Sequence, residues 1–264
     1  MKKNNKKRNN INKIKTKPKV LLWDLETGFN QVNIFSLWDA KRGISPDALL
    51  SERYIICGSF TYLDDDEIRT FYVDYENPTD DEAVVRDLHK VLSDADAIIA
   101  HYGDNYDIKF FNSRALYWGL PPIHNVIQID TYKIAKKHFL FNSNKLDYLG
   151  EFLGIGRKKK TTRELWQRCY DGDEEAIEEM VSYCEMDVVL LEKVYLKLRP
   201  YTEAKLNRGH FTKELVCPSC GSDKVHRRGY FYTRVGKRAK YVCLSCNSWS
   251  SSRVSEKVEG PQLK

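Results

Sequence analysis

A chain of 264 residues, 42% apolar and 30% charged, is long enough for one sizeable core and a small second module. It has no run of 18 apolar residues and no apolar stretch near its start, which argues against a membrane span or a secretory leader and predicts a cytoplasmic protein with no membrane partner. The net charge of +6 is unevenly spread: residues 1–19 carry nine Lys and Arg and no acid, residues 203–264 carry thirteen bases against five acids, and 20–202 is left at −11. Basic ends around an acidic middle suit polyanion binding at the ends and cation binding between them.

Residues 1–18 are Lys/Asn-rich with almost nothing apolar to bury, so a disordered basic arm is expected. From Val20 the pattern changes. Residues 20–24 read as a buried strand, 54–63 and 68–73 as two more, with the acidic turn Asp64-Asp65-Asp66 between those two. A helix is expected near 82–93 and a short buried strand at Ala97–Ala100. An amphipathic segment starts at Asp107 and is stopped by Gly119, Pro121 and Pro122. A strand at 126–130 comes next, and then mainly helix to Pro200, ending in the long stretch Glu174–Leu198. This succession predicts an α/β domain over 19–202 and a small β-rich module over 203–264 with a flexible C-terminus.

Three acidic segments carry the chemistry. Asp24 and Glu26, in LLWDLETG, are two apart at the end of an apolar strand, so both side chains leave the same face. Two such carboxylates repel each other unless a cation sits between them, and oxygen ligands suit Mg²⁺ or Mn²⁺. Asp107, in AHYGDNYDIKFF, read alone is an N-cap or first-turn acid favoured by the helix dipole. His101 just upstream is either a substrate contact or a structural strand-end residue. Tyr183 and Asp187, in VSYCEMDVV, lie one helical turn apart on the edge of the apolar stripe Met180, Cys184, Val188, Leu191 and Tyr195. Glu185 falls on another face and is expected in solvent.

In this order the three segments resemble the motifs of the DEDD 3′–5′ exonuclease superfamily. The tyrosine four before the last aspartate resembles the DEDDy branch, where the proofreading exonucleases of family B polymerases also sit. HYGDNYDIKFFNSRALYWGLP and NKLDYLGEFLGIGRKKKTT resemble its stand-alone, often phage-encoded members, although Asn105 stands two before Asp107 instead of several. The resemblance spans 19–200 and implies a ribonuclease H-like mixed five-stranded sheet flanked by helices. It further implies two Mg²⁺ or Mn²⁺ ions: Asp24, Glu26 and Asp187 hold one, Asp24 bridges to the second, and Asp107 supports that second ion. Tyr183 then orients the attacking water. The substrate is a nucleic acid, DNA before RNA, entered at a single-stranded 3′ end and cut to nucleoside 5′-monophosphates. Lys145, Arg157 and Lys158 are candidates to line the strand's path, and Tyr106, Phe110 and Phe111 are either stacking surfaces or core.

Cys217-Pro-Ser-Cys220 and Cys243-Leu-Ser-Cys246 are two CxxC pairs separated by 22 residues, a spacing that suits one structural, tetrahedral Zn²⁺. The intervening sequence reads as a hairpin turning through Val235-Gly236-Lys237. It resembles the zinc ribbon of some transposases and other nucleic-acid-binding proteins. Arg227, Arg228, Arg234, Lys237, Arg238 and Lys240, interleaved with Tyr230, Phe231 and Tyr232, suit phosphate tracking with base stacking. A protein-docking ribbon is the other reading. Cys57, Cys169 and Cys184 are expected as buried thiols. The rival functions are a structure-specific endonuclease on the same fold and a non-catalytic nucleic-acid-binding or adaptor protein. Nothing in the sequence names a protein partner or an oligomeric state.

Overall fold

The computed structural model describes residues 17–158, 160–234 and 236–256, and the chain divides into two compact units, Lys19–Leu206 and a smaller one that takes in Asn207–Lys264. The expected basic arm lies outside the described residues except for Lys17 and Pro18, and so does Lys159 of the basic run.

The larger unit opens with β1 (Val20–Thr27). A small β2–β3 pair (Gln31–Val32, Leu49–Ser51) is next, with α1 (Leu37–Arg42) between its strands. Then come β4 (Ile55–Tyr62), β5 (Arg69–Tyr72), α2 (Glu82–Asp94), β6 (Ala97–Ala100), α3 (Asp107–Tyr117) and β7 (Ile127–Asp130). Four helices complete it: α4 (Thr131–His138), α5 (Leu146–Phe152), α6 (Arg163–Tyr170) and α7 (Glu174–Leu198). The five-stranded sheet has the order β5-β4-β1-β6-β7. Strand β1 is antiparallel to β4 and parallel to β6, so the sheet is mixed, as the sequence predicts.

That central position explains the apolar run of β1, since a strand paired on both edges and covered on both faces has no wet side. Leu21, Trp23 and Leu25 join the core under α2 and α3, and Val20 and Leu22 join the other cluster, with Val188, Leu191 and Val194 of α7. Each fully buried Leu, Ile or Phe contributes about 1.5–3 kcal/mol by leaving water. Alternation then sends Asp24 and Glu26 to the α7 side. Helix α7 meets the strand there through its buried stripe, where the Cys184 thiol donates to the Asp24 carbonyl at 3.4 Å. On the opposite face a Cβ at Gly58 would lie 2.6 Å from Leu88, so only glycine lets α2 approach β4 this closely.

Helix α3, which begins at Asp107, is fixed by a wholly buried carboxylate. Asp81 accepts from the Ile55 amide at 2.9 Å and from Arg114 Nε, Arg114 Nη2 and Trp118 Nε1, each at 2.7 Å. These bonds tie the end of α3 to the start of β4. Every lone pair the acid exposes to the core is used, as a buried charge requires. No helix among the described residues is long and apolar enough to cross a membrane.

The smaller unit is a three-stranded antiparallel sheet of order β10-β9-β8, formed by β8 (Val225–Thr233), β9 (Gly236–Cys243) and β10 (Trp249–Ser251). The expected hairpin is present, with Gly236 and Lys237 paired to Thr233 and Tyr232, so the reversal falls between Thr233 and Gly236, slightly earlier than a turn through Val235-Gly236-Lys237. Gly229, at φ +80°, lies where β8 bulges between Arg227 and Tyr230, which shifts the pairing of Val225–Arg227 with β9.

Candidate metal centre and cysteine site

Strand β1 runs on past Asp24 to Thr27, so Asp24 and Glu26 are both in regular strand and both face α7. Asp187 of α7 meets them. A carboxylate oxygen from each of Asp24, Glu26 and Asp187 lies within 4.8 Å of the others. Tyr183, one turn earlier on the same helix, is half-buried beside this trio. Asp107 is the first residue of α3 and only 5% exposed, while the cap position belongs to Tyr106. It stands outside the trio yet next to it, because after burial its charge is the largest influence on Asp24.

The cluster is electrostatically costly. Burial, reinforced by neighbouring acids, raises Asp24 well above the usual carboxylate range and pushes Glu26 up to about 8. Asp187 is also raised by burial, against the pull of Lys158. Asp107 is pushed up to about 6 by burial, although its own amide and that of Leu25 favour its charged form. Three converging carboxylates with no softer donor are the ligand set of a hard divalent cation, and Mg²⁺ or Mn²⁺ fits. Burial pushes Tyr183 up to about 12, so its phenol keeps its proton at neutral pH.

These shifts make stability depend on pH. Glu26 keeps its proton in the folded chain between its ordinary value of 4.5 and about 8, and unfolding in that window releases the proton. Its stabilising contribution is therefore complete below 4.5 and lost as the pH rises through about 8. In chelator, the melting temperature of the protein relative to a Glu26→Gln variant should fall across this window. Mn²⁺ should remove the slope. A flat difference between the two proteins would contradict the assignment.

Of the cations expected along a strand's path, Lys158 sits inside the centre. Its Nζ is 2.5 Å from Asp187 Oδ2 and 5.6 Å from the centroid of the Tyr183 ring. Arg157 instead pairs with Glu151 at the surface. Lys145 precedes α5 and, with His101, Tyr102, Tyr132 and Lys158, lines a cavity of about 440 Å³. His101 contacts Thr131 Oγ1 through Nδ1 at 2.9 Å, and burial lowers it to about 4, so it is neutral. Glu185, expected in solvent, is half-buried and accepts from Thr70 Oγ1 at 2.8 Å, because β5 reaches under that face of α7. The three aromatic candidates separate cleanly. Phe111 is core, edge-on to Trp23, whereas Tyr106 is exposed, stacked on Phe110 and bonded to Thr27 Oγ1 at 2.8 Å. Nothing in a run of four basic residues marks which one turns inward, so the place of Lys158 is not readable from sequence.

The four cysteines of the CxxC pairs converge with all sulfurs within 4.8 Å. Cys217–Cys246 are 3.7 Å apart and Cys220–Cys243 are 3.6 Å apart. Four thiolates around a zinc ion at Zn–S distances of ~2.3 Å lie about 3.8 Å from each other, so the set fits tetrahedral Zn²⁺. The two knuckles repeat one design. The amide of Gly221 bonds the Cys217 carbonyl at 2.8 Å and that of Asn247 bonds the Cys243 carbonyl at 3.0 Å. Both closing residues adopt the left-handed conformation, at φ +79° and +59°. With a β-rich frame around this cluster, the small unit fits a zinc ribbon.

On β8 and β9 the expected cations and aromatics are brought together in part. The half-buried Tyr230 ring lies between Arg227, 4.8 Å away, and Lys237, 4.4 Å away. Arg228, Tyr232 and Arg234 are exposed, while Arg238 is half-buried. Arg227 also pairs with Glu256 at 3.3 Å.

A family model of the RNase H superfamily matches residues 48–199, more than half of the chain. Over 70 residues, 26% of its length, the chain is 36% identical to a DNA polymerase III PolC-type of Ureaplasma parvum serovar 3, of which that match covers 5%. Among solved structures, the family B DNA polymerase from the hyperthermophilic archaeon Pyrobaculum calidifontis aligns with a TM-score of 0.52 at 17% identity. That likeness, over 69% of this chain and 25% of the polymerase chain, is one of fold. The chain thus spans only a small part of the length of both polymerases.

Proposed function

The chain belongs to the RNase H superfamily, and on that premise we propose that it is a metal-dependent 3′–5′ exonuclease of the DEDDy type. Its substrate is the single-stranded 3′ end of a nucleic acid, DNA before RNA, and its products are nucleoside 5′-monophosphates. One observation carries this reading: Asp24, Glu26 and Asp187 converge within 4.8 Å, with Tyr183 one turn before Asp187. The segmental likeness to a DNA polymerase supports the choice of DNA.

In this reading Asp24, Glu26 and Asp187 would hold one Mg²⁺ or Mn²⁺, and Asp107 beside Asp24 would support a second. Such ions supply Lewis-acid activation of the phosphate and a water of lowered pKa. Tyr183, protonated at neutral pH, could orient the attacking water by hydrogen bonding and would not take its proton. Tyr106 offers an exposed ring for a terminal base. The ribbon supplies phosphate contacts through Arg227, Arg228, Arg234 and Lys237, and these are sequence-independent.

The test is a 5′-labelled single strand incubated with the protein and Mn²⁺. A ladder that shortens from the 3′ end is expected. A single internal cut assigns an endonuclease instead, and tight binding without cleavage removes the enzyme reading.

A further inference from the structure

We propose that Lys158 competes with the divalent cation for Asp187 and, once displaced from it, holds a phosphate of the substrate strand. The proposal rests on the reading of Asp24, Glu26 and Asp187 as a metal centre.

The ammonium is not a surface charge that happens to lie near an acid. The Asp187 side chain is 1% exposed and that of Lys158 27%, and their 2.5 Å contact is a short, charge-assisted bond in a site that excludes most water. Coulombic attraction at this range is strong because the medium between the charges is poor in water. The ammonium occupies one of the acceptor positions that Asp187 Oδ2 turns to the centre. A divalent ion on the same carboxylate must share it with a positive charge at close range and meet its repulsion.

The backbone limits how far the displaced ammonium can move. The Lys158 amide donates to Asp147 Oδ1 at 2.8 Å, which ties this stretch to the first turn of α5. Only the four-carbon stem is free to swing, so the ammonium stays within reach of the acidic centre. The cavity beside it already presents Lys145, with the rings of Tyr102 and Tyr132 set edge to face at 4.9 Å. Asp147 also lines this cavity, but one of its oxygens is engaged by the Lys158 amide, and two ammonium groups next to aromatic walls suit a phosphodiester flanked by a base. Arg157 cannot take this role from its place at the surface, where it is paired with Glu151.

The experiment is calorimetric titration of Mn²⁺ into the full-length wild type and the Lys158→Met, Lys158→Gln, Lys158→Arg and Asp187→Asn variants. Alongside it, binding of a phosphorothioate-blocked single strand is measured with Mn²⁺ at saturation. Lys158→Met and Lys158→Gln should bind Mn²⁺ at least about tenfold more tightly, the effect of removing one adjacent positive charge. Lys158→Arg should stay near wild type. Both neutral variants should bind the blocked strand several-fold more weakly. Glutamine keeps a hydrogen-bond donor, so it answers the question if methionine at this buried position impairs folding. A lysine that only supported the fold would leave Mn²⁺ affinity unchanged or reduced in the folded variants, and that result overturns the proposal. The metal reading fails separately: in that case the wild type takes up no Mn²⁺ and Asp187→Asn changes nothing.

Discussion

Nuclease activity should fall by at least about 10³-fold in an Asp24→Asn, Glu26→Gln protein, while its melting temperature in chelator rises. The two effects have one origin. Asp24 and Glu26 are buried beside Asp187 and Asp107, and both are held above the ordinary carboxylate range by burial first and then by the charges of those neighbouring acids. A fold that keeps such a cluster gives up stability for a ligand set. Neutral amides of the same shape relieve the repulsion, and they cannot hold a divalent ion in its place. Mn²⁺ should accordingly stabilise the wild type and leave the variant unmoved, a contrast that linkage demands of any ligand bound by the native state alone. Thermal melts with chelator and with Mn²⁺, beside rates on a labelled strand, separate the possibilities. Lost activity with a lowered melting temperature would mean that the two acids serve the fold, as partners of Lys158. Retained activity would place the chemistry elsewhere.

The sequence disclosed this centre unevenly, for physical reasons. Strand β1 was legible because burial on both faces leaves only its last residues free to be polar, so Asp24 and Glu26 stood out against Leu21, Leu22 and Trp23. Helix α7 was legible because its apolar stripe has a 3.6-residue period that fixes which edge carries Tyr183 and Asp187. Glu185 escaped the same logic. Its angle on the helix pointed away from the stripe, but strand β5 lies under that face, and no local pattern encodes a strand more than a hundred residues away. Lys158 was hidden for a similar reason, since its inward turn depends on the Asp147 carboxylate capturing its amide. The hairpin of the small unit was legible from its punctuation, whereas the bulge at Gly229 shows only in the pairing of β8 with β9. Periodicity reports burial well, whereas single long-range hydrogen bonds leave no trace in it.

The other large effect concerns the small unit. The full-length protein should carry about one tightly bound Zn²⁺, and a Cys217→Ser, Cys220→Ser variant should lose it together with the β8–β9–β10 sheet. Among the described residues the buried apolar side chains of this unit are Cys217, Cys243, Cys246 and Ala239, with Cys220 and Val225 packed against the cysteines. So few apolar side chains cannot offset the conformational entropy of ordering three strands. The metal must supply the difference, and structural zinc in small modules contributes an apparent ~10–16 kcal/mol, which is folding energy when no site exists in the unfolded chain. Zinc release on thiol modification, measured with a chromogenic chelator, gives the stoichiometry, and far-ultraviolet circular dichroism reports the lost sheet. If the ribbon holds the strand, the variant should also bind single-stranded DNA more weakly and with a shallower salt dependence, because the phosphate contacts of Arg227, Arg228 and Lys237 go with the fold. Hydrolysis of a short strand at saturating concentration should persist, since every acidic ligand lies within Lys19–Leu206. Unchanged strand affinity in a zinc-free variant would instead assign the ribbon to a protein partner, and retained zinc would mean that the metal is held by other residues.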